Sequence, residues 1–368
     1  MLANCQLPTV NFLIDAHLDL ALNALDWNRD YRCPAHAIRA AEAGLTDKID
    51  RGRGTVSLPD LRRGGVGLVV ATQLARCTEE NGTLPGAGYR SPHQAWAATQ
   101  AQRAWYEAME DAGEMRQIRD RASLENHLRL WQDEAIPAPA KPVGYVLSLE
   151  GADSLVNLSY LEKAWAYGLR ALGPAHYGPD RYAPGTGLSG PLTPAGRDLL
   201  REMDALGMIL DVTHLTDEGF DEALERFQGP VWASHHNCRA LVPHQRQLTN
   251  GQILRLAERG AVIGGCCDAW MLKPGLTQRQ IDPRAEGVTL ETLADHLDYV
   301  CQLTGNSLHV GIGSDLDGTF GTEQSPADLD TIADLPNLRG ILSRRGYSPE
   351  DVENVFSGNW LRFLRNAW

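Results

Sequence analysis

Residues able to hold a metal ion recur at the ends of short apolar runs along this 368-residue sequence. The first is Phe12-Leu13-Ile14-Asp15-Ala16-His17-Leu18-Asp19, in which β-forming residues lead into a His-x-Asp pair. In a strand, residues two apart share a face, so His17 and Asp19 can reach one ion together. Taken alone, such a pair reads equally as a core histidine beside a capping aspartate. Its recurrence changes the balance: Glu150, His214, His235 and Asp315 close later runs, and His176 lies just past another. Three imidazoles and three carboxylates, all nitrogen and oxygen donors, suit Zn²⁺, with Mn²⁺, Fe²⁺ or Co²⁺ admissible by exchange. The set is large enough for two ions. Two-metal sites hold their ions about 3.5–4 Å apart, which requires a bridging ligand. A carboxylate bridges where an imidazole does not readily do so, and Glu150 is the natural candidate.

The elements that must position these donors follow from the runs themselves: 12–17, 66–74, 143–150, 169–175, 208–214, 231–235, 261–267 and 309–315. Between them helix punctuation is legible. Thr193-Pro194 supplies an N-cap and a first-turn proline, with Gly207 as the stop; Thr249-x-x-Gln252 is a capping box closed by Gly260; Thr289 opens a helix that Gly305 ends. Strands alternating with helices imply right-handed βαβ units and a parallel sheet, and eight units can close into a (β/α)₈ TIM barrel spanning residues 1–368 as one domain. An open doubly wound sheet is the rival, but no Gly-x-Gly-x-x-Gly follows the first strand. In such barrels the chemistry sits at the C-terminal strand ends, where these donors fall.

Three stretches exceed a minimal barrel and are expected to be loop insertions: the polar excursion Asp26–Pro59, Ser91–Ile136, and the loop Met271–Gly287. The second is expected to hold one long amphipathic helix whose stripe of Trp96, Ala101, Trp105 and Met109 packs on the core rather than lining a ligand groove. Ser348-Pro349-Glu350-Asp351 starts another capped helix, with Val352, Val355, Phe356, Leu361 and Leu364 as its apolar positions. This final stretch is expected to cap the barrel.

A formal net charge of −13 with 43% hydrophobic residues disfavours nucleic acid or an anionic membrane surface as a partner. Met1–Val10 lacks a basic segment followed by an apolar one, and no window reads as a membrane span, so neither a leader nor an anchor is expected. Seven cysteines, two of them adjacent at Cys266-Cys267, read as reduced thiols of a cytoplasmic protein. The oligomeric state is left open, a homodimer included.

The ordered set Asp15-Ala16-His17-Leu18-Asp19, Leu147–Gly151, Leu210–His214, Ala233–Asn237 and Gly311–Gly318 resembles the renal (membrane) dipeptidase family, the M19 metallopeptidases of the amidohydrolase superfamily. The resemblance runs from about residue 12 to Leu361 and includes Arg345–Tyr347 and Gly358–Arg362. It implies a distorted (β/α)₈ barrel holding two Zn²⁺. One ion would sit on His17, Asp19 and Asp315, the other on His214 and His235, with Glu150 bridging both. It further implies that His176 contacts the scissile carbonyl oxygen and that Arg246 pairs with the substrate carboxylate. The guanidinium fork suits that task. The expected reaction is hydrolysis of small dipeptides, with a C-terminal D-residue accepted. A water shared by both ions would lose its proton and attack, and Asp315 would carry the proton to the leaving amine.

The sequence also departs from the family. Ala175-His176-Tyr177 stands for a common Thr-His-Asn, Arg246-Gln247 for Arg-Asn, and Asp315-Leu316-Asp317-Gly318 for Asp-Phe-Asp-Gly, which puts the pocket shape in question. His236 is expected to back His235 or to be exposed, because adjacent strand residues face opposite ways. An N-acyl-amino-acid deacylase or a lactonase could use the same metals. A non-catalytic barrel would have lost ligands, and the six are intact.

Overall fold

Nine parallel strands run through the computed structural model, which describes residues 12–78 and 88–368. They are β1 (Leu13–Leu18), β2 (Val66–Leu74), β3 (Met115–Gln117), β4 (Val143–Glu150), β5 (Leu169–Gly173), β6 (Ile209–Asp211), β7 (Val231–Trp232), β8 (Ile263–Gly265) and β9 (Val310–Ile312). The ladder order is β7-β6-β5-β4-β2-β1-β9-β8. It closes where Ala233 N donates to Val262 O at 3.1 Å and Gly264 N to Ala233 O at 2.9 Å. The result is an eight-stranded (β/α)₈ barrel, distorted where the short strands from β6 to β9 meet. Continuous apolar runs suit it because both faces of each strand are buried, one inside the barrel and one under the helices. The residues 1–11, which carry the expectation of no leader, lie outside the described residues, as does Cys5.

The helices start and stop where the side chains supply the missing backbone partners. The Thr193 hydroxyl accepts from Gly196 N at the head of Pro194–Leu206, which ends on left-handed Gly207. Thr249 with Gln252, and Ser348 with Asp351, form the reciprocal capping boxes expected of them.

The expectation of eight strands is short by one. Ser91–Ile136 holds the long helix expected, Pro92–Asp111, and beyond it β3 and a second helix, Arg121–Gln132. β3 pairs with β4 from Val143 to Tyr145, below the level at which β5 joins β4 at Leu147. It fills the gap left by a shorter neighbour, and three residues with a charged centre carry no apolar signal. The buried stripe of the first helix is also rotated from its expected face. It comprises Ala95, Thr99, Gln102, Tyr106 and Met109, while Trp96 and Trp105 are half-buried and Ala101 is exposed. The polar members are buried because they bond the end of β2: Gln102 accepts from Leu74 N at 2.9 Å and donates to Leu74 O at 2.8 Å. The Tyr106 hydroxyl donates to Thr72 O at 2.9 Å.

The excursion 26–59 is likewise less solvated than its composition suggests. Arg29 is buried and pairs with Glu42 at 2.8 Å and Asp50 at 2.9 Å, so its charge is satisfied inside the fold. At the barrel floor the last helix, Asn359–Ala367, inserts Trp360, Leu361, Phe363 and Leu364 among Phe12, Ile14, Leu68 and Trp232. Trp232 and Trp360 meet edge to face at 5.8 Å. Gly311 on β9 makes room for this, since a Cβ there would lie 2.2 Å from Trp360 Nε1. The six described cysteines are all unpaired, and no described helix is long and apolar enough to cross a membrane.

Candidate active site

Asp15, two residues before His17, fixes the junction from which the site is built. Its carboxylate accepts from Ser314 N at 2.9 Å and from the Ser314 hydroxyl, tying β1 to the residue before Asp315. His17 then projects from β1 with Nε2 at 3.6 Å from Glu150 Oε2, the final residue of β4, and 3.8 Å from Asp315 Oδ1. Asp19 follows, its carboxylate receiving the Thr72 hydroxyl from β2.

His214 and His235 face this group from β6 and β7. Thr186 Oγ1 holds His214 Nδ1 at 2.9 Å and Ser234 Oγ holds His235 Nδ1 at 2.9 Å. With each Nδ1 occupied, the two Nε2 atoms turn into one space, 3.2 Å apart. Glu150 Oε1 lies 3.1 Å from His214 Nε2 and 3.5 Å from His235 Nε2. The Glu150 carboxylate therefore offers one oxygen to the His214–His235 side and the other to His17. His214 and Asp315 lie just beyond their strands with left-handed backbones, φ 71° and 59°. Strand alternation thus does not aim them. Gly318 makes the Asp315 turn possible, because a Cβ there would sit 2.1 Å from Asp315 Oδ1.

The electrostatics of this cluster call for a cation. Burial, reinforced by the charge of Arg246, drives His214, His235 and His176 toward the neutral form, His176 down to about 4. Burial also pushes Asp315 well up and Asp19 up to about 6. For Glu150 burial acts upward too, but His17 and His176 outweigh it and hold the carboxyl well down. His17 goes the other way: burial lowers it, yet Glu150, Asp19 and Asp315 together lift it to about 10. The acidic groups around His17, Glu150 foremost, thus draw a proton onto its imidazole, and a bound divalent cation would replace that proton. Ligand atoms of His17, Asp19 and Asp315, of His17, Glu150 and His235, and of Glu150, His176 and His214 each lie within 4.8 Å of one another. His17 Nε2 and Glu150 Oε1, although buried, make no hydrogen bond. The donor set fits two hard or borderline cations with Glu150 between them.

Two further residues complete the cavity. His176 stands in the loop after β5, with Nε2 at 3.9 Å from Glu150 Oε2 and Nδ1 unpartnered. Arg246, in the loop after β7, donates from Nη2 to His235 O at 3.0 Å, while its buried Nε and Nη1 have no partner. All eight residues singled out in the sequence thus meet at one rim, and all but His17 line a cavity of about 240 Å³. Of the two alternatives for His236, exposure does not hold: it is buried, its backbone N donates to Gly264 O at 2.7 Å as the chain crosses to β8, and burial holds its imidazole neutral.

Sequence reasoning missed Thr72, Thr186 and Ser234, the hydroxyls that orient the donors, and Tyr177, Asp268 and Arg279 in the cavity wall. It also missed Asp317, which accepts from Thr55 N at 2.6 Å and from the Tyr31 hydroxyl at 2.9 Å and so anchors the loop carrying Asp315 to the 26–59 excursion. The signal available was the second aspartate of Asp315-x-Asp317-Gly318; the hydroxyls carried none.

Comparison with known proteins agrees with this geometry. The family described as membrane dipeptidase (Peptidase family M19) matches residues 5–367. Dipeptidase aclJ of Aspergillus oryzae is 28% identical over 369 residues, 96% of this chain and 77% of that protein. A crystal structure described as the dipeptidase AC, a metallopeptidase of family M19, superposes with TM-score 0.76 at 25% identity, covering 97% of this chain and 98% of the other. A metallopeptidase from Rhodobacter sphaeroides, bound to a phosphinate mimic of L-Ala-D-Ala, also gives TM-score 0.76, at 23% identity over 97% of this chain and 99% of that one. This chain belongs to the membrane dipeptidase family, peptidase family M19.

Proposed function

We propose that the chain hydrolyses small dipeptides, including those with a C-terminal D-residue, using two zinc ions held by His17, Asp19, Glu150, His214, His235 and Asp315. The observation that carries this reading is the Glu150 carboxylate, with one oxygen toward His214 and His235 and the other toward His17. Two divalent ions at such a site lower the pKa of a water molecule between them and polarise a carbonyl.

The remaining work falls to side chains. Arg246 has unpartnered donors at Nε and Nη1, and offers the guanidinium charge to the substrate carboxylate, a pairing that also orients the peptide. His176, neutral because it is buried, donates a hydrogen bond to the scissile carbonyl oxygen as charge gathers there. Asp315 accepts the proton of the attacking water and passes it to the departing amine. The D-residue preference draws on the Rhodobacter sphaeroides relative, whose ligand mimics L-Ala-D-Ala.

Arg246→Met tests this reading against other hydrolases. Truncating one partner of a buried charged pair costs roughly 2–5 kcal/mol, about thirty-fold to several thousand-fold in kcat/KM. That loss is expected for L-Ala-D-Ala with both ions retained, and little further loss for the dipeptide amide, which lacks the carboxylate. Equal losses on acid and amide would reduce Arg246 to a loop support. Equal wild-type rates on the two substrates would favour an acylase or lactonase.

A further inference from the structure

Tyr177 follows His176 in the loop between β5 and β6, and its ring is set against two of the site imidazoles. The centroids lie 5.0 Å from His176 at 84° and 5.1 Å from His214 at 59°. The backbone fixes it there. Tyr177 bridges to Thr186, Thr186 N donates to His176 O at 2.9 Å, and Gly178 N donates to Thr186 O at 3.0 Å. Thr186 is also the residue whose hydroxyl holds His214, so this loop is built as one piece with the candidate metal ligands.

The phenol lines the cavity and makes no hydrogen bond with any described residue. A phenol keeps its proton through the neutral range and so remains an O–H donor. Arg246 lines the same cavity. Arg246 in turn keeps Nε and Nη1 free. Two unspent donor groups of different kinds therefore share one wall of the cavity.

We propose that Tyr177 is a substrate-binding residue whose hydroxyl donates to the same C-terminal carboxylate that Arg246 receives. A carboxylate has about four lone-pair positions and a guanidinium edge satisfies two of them, which leaves buried acceptors unmet. A phenol supplies a third donor without adding a charge. Its placement by His176 and His214 couples the docking of the carboxylate to the position of the scissile bond. The inference rests on the dipeptidase reading of Arg246 above.

Tyr177→Phe keeps the ring and removes the donor. Steady-state kinetics on L-Ala-D-Ala and its amide, in wild-type and Arg246→Met backgrounds, test the assignment. A hydrogen bond to a charged group is worth about tenfold to a hundredfold in binding. The expected result is a rise of that size in KM for the acid, with kcat within about twofold, the amide unaffected and metal content unchanged. In the Arg246→Met background the loss should shrink to a few-fold, because the two groups act on one carboxylate. A fall in kcat at constant KM, an equal loss on acid and amide, or an undiminished loss beside Arg246→Met would each overturn the role of Tyr177 alone. If Arg246→Met does not distinguish acid from amide, the underlying reading falls and this inference with it.

Discussion

Glu150 is the residue on which the arrangement turns, because its two oxygens face different groups of imidazoles. Replacing it with glutamine conserves volume and removes the charge that two neighbouring dications require. The wild type is expected to bind about two metal equivalents, and Glu150→Gln at most one, with a loss of at least about a hundredfold in kcat. Metal analysis beside turnover decides the matter; both ions retained at full rate would move the bridging role elsewhere. At this scale the sequence was readable where chemistry is rare and unreadable where it is common. His17, His214 and His235 stand out at run ends, since few residues ligate metals. Thr186 and Ser234 do not, because their roles depend on contacts with His214 and His235 that a strand pattern does not specify.

Among the elements, the last helix has the clearest mechanical task. Trp360 is 1% exposed and closes the barrel floor against Trp232 and Gly311. Trp360→Ala would open a cavity that neighbouring strands cannot collapse into, at a cost of about 3–5 kcal/mol. Chemical denaturation should show this as a lower midpoint at unchanged slope, and a midpoint equal to wild type would mean the helix is not the plug. The helical stretch leading into it was legible from the Ser348 capping box, which heads Pro349–Glu353, and from the apolar spacing that continues to Leu364. β3 was not, because it is recruited by the uncovered lower half of β4 rather than by its own residues. The rotated face of Pro92–Asp111 has a similar cause: Gln102 reads as solvent-facing until Leu74 at the end of β2 supplies its partners.

For the molecule as a whole, acid is the condition that distinguishes folded from unfolded. His127 is buried against Gly67 O at 2.7 Å, and burial lowers its pKa from 6.5 to about 4. Below pH 6.5 the unfolded chain binds a proton that the folded chain refuses, so stability falls with pH down to about 4 and then levels. The shift corresponds to about 3 kcal/mol. His127→Gln, which can still donate to Gly67 O, should flatten the dependence of Tm on pH across that window; an unchanged slope would assign the acid sensitivity to other groups. The barrel was readable at this scale because eight apolar runs separated by capped helices leave few topologies. The folded state of the 26–59 excursion was not, since Arg29, Glu42, Asp50 and Asp317 reveal their pairing only once brought together.

The left-handed backbones at His214 and Asp315 set selection for sturdiness against selection for chemistry. Each is a conformation that glycine enters without the steric cost a side chain brings, a cost smaller for histidine and aspartate than for most residues. Asp315 also crowds a third carboxyl against Asp19 and Glu150, which raise its pKa further. A laboratory search for heat-tolerant variants of the metal-stripped chain would be drawn to these two positions, and the winners would be inert. A search that instead kept histidine and aspartate there would show that the turns carry no such tension. Durability and turnover are separable traits here, contested at two residues.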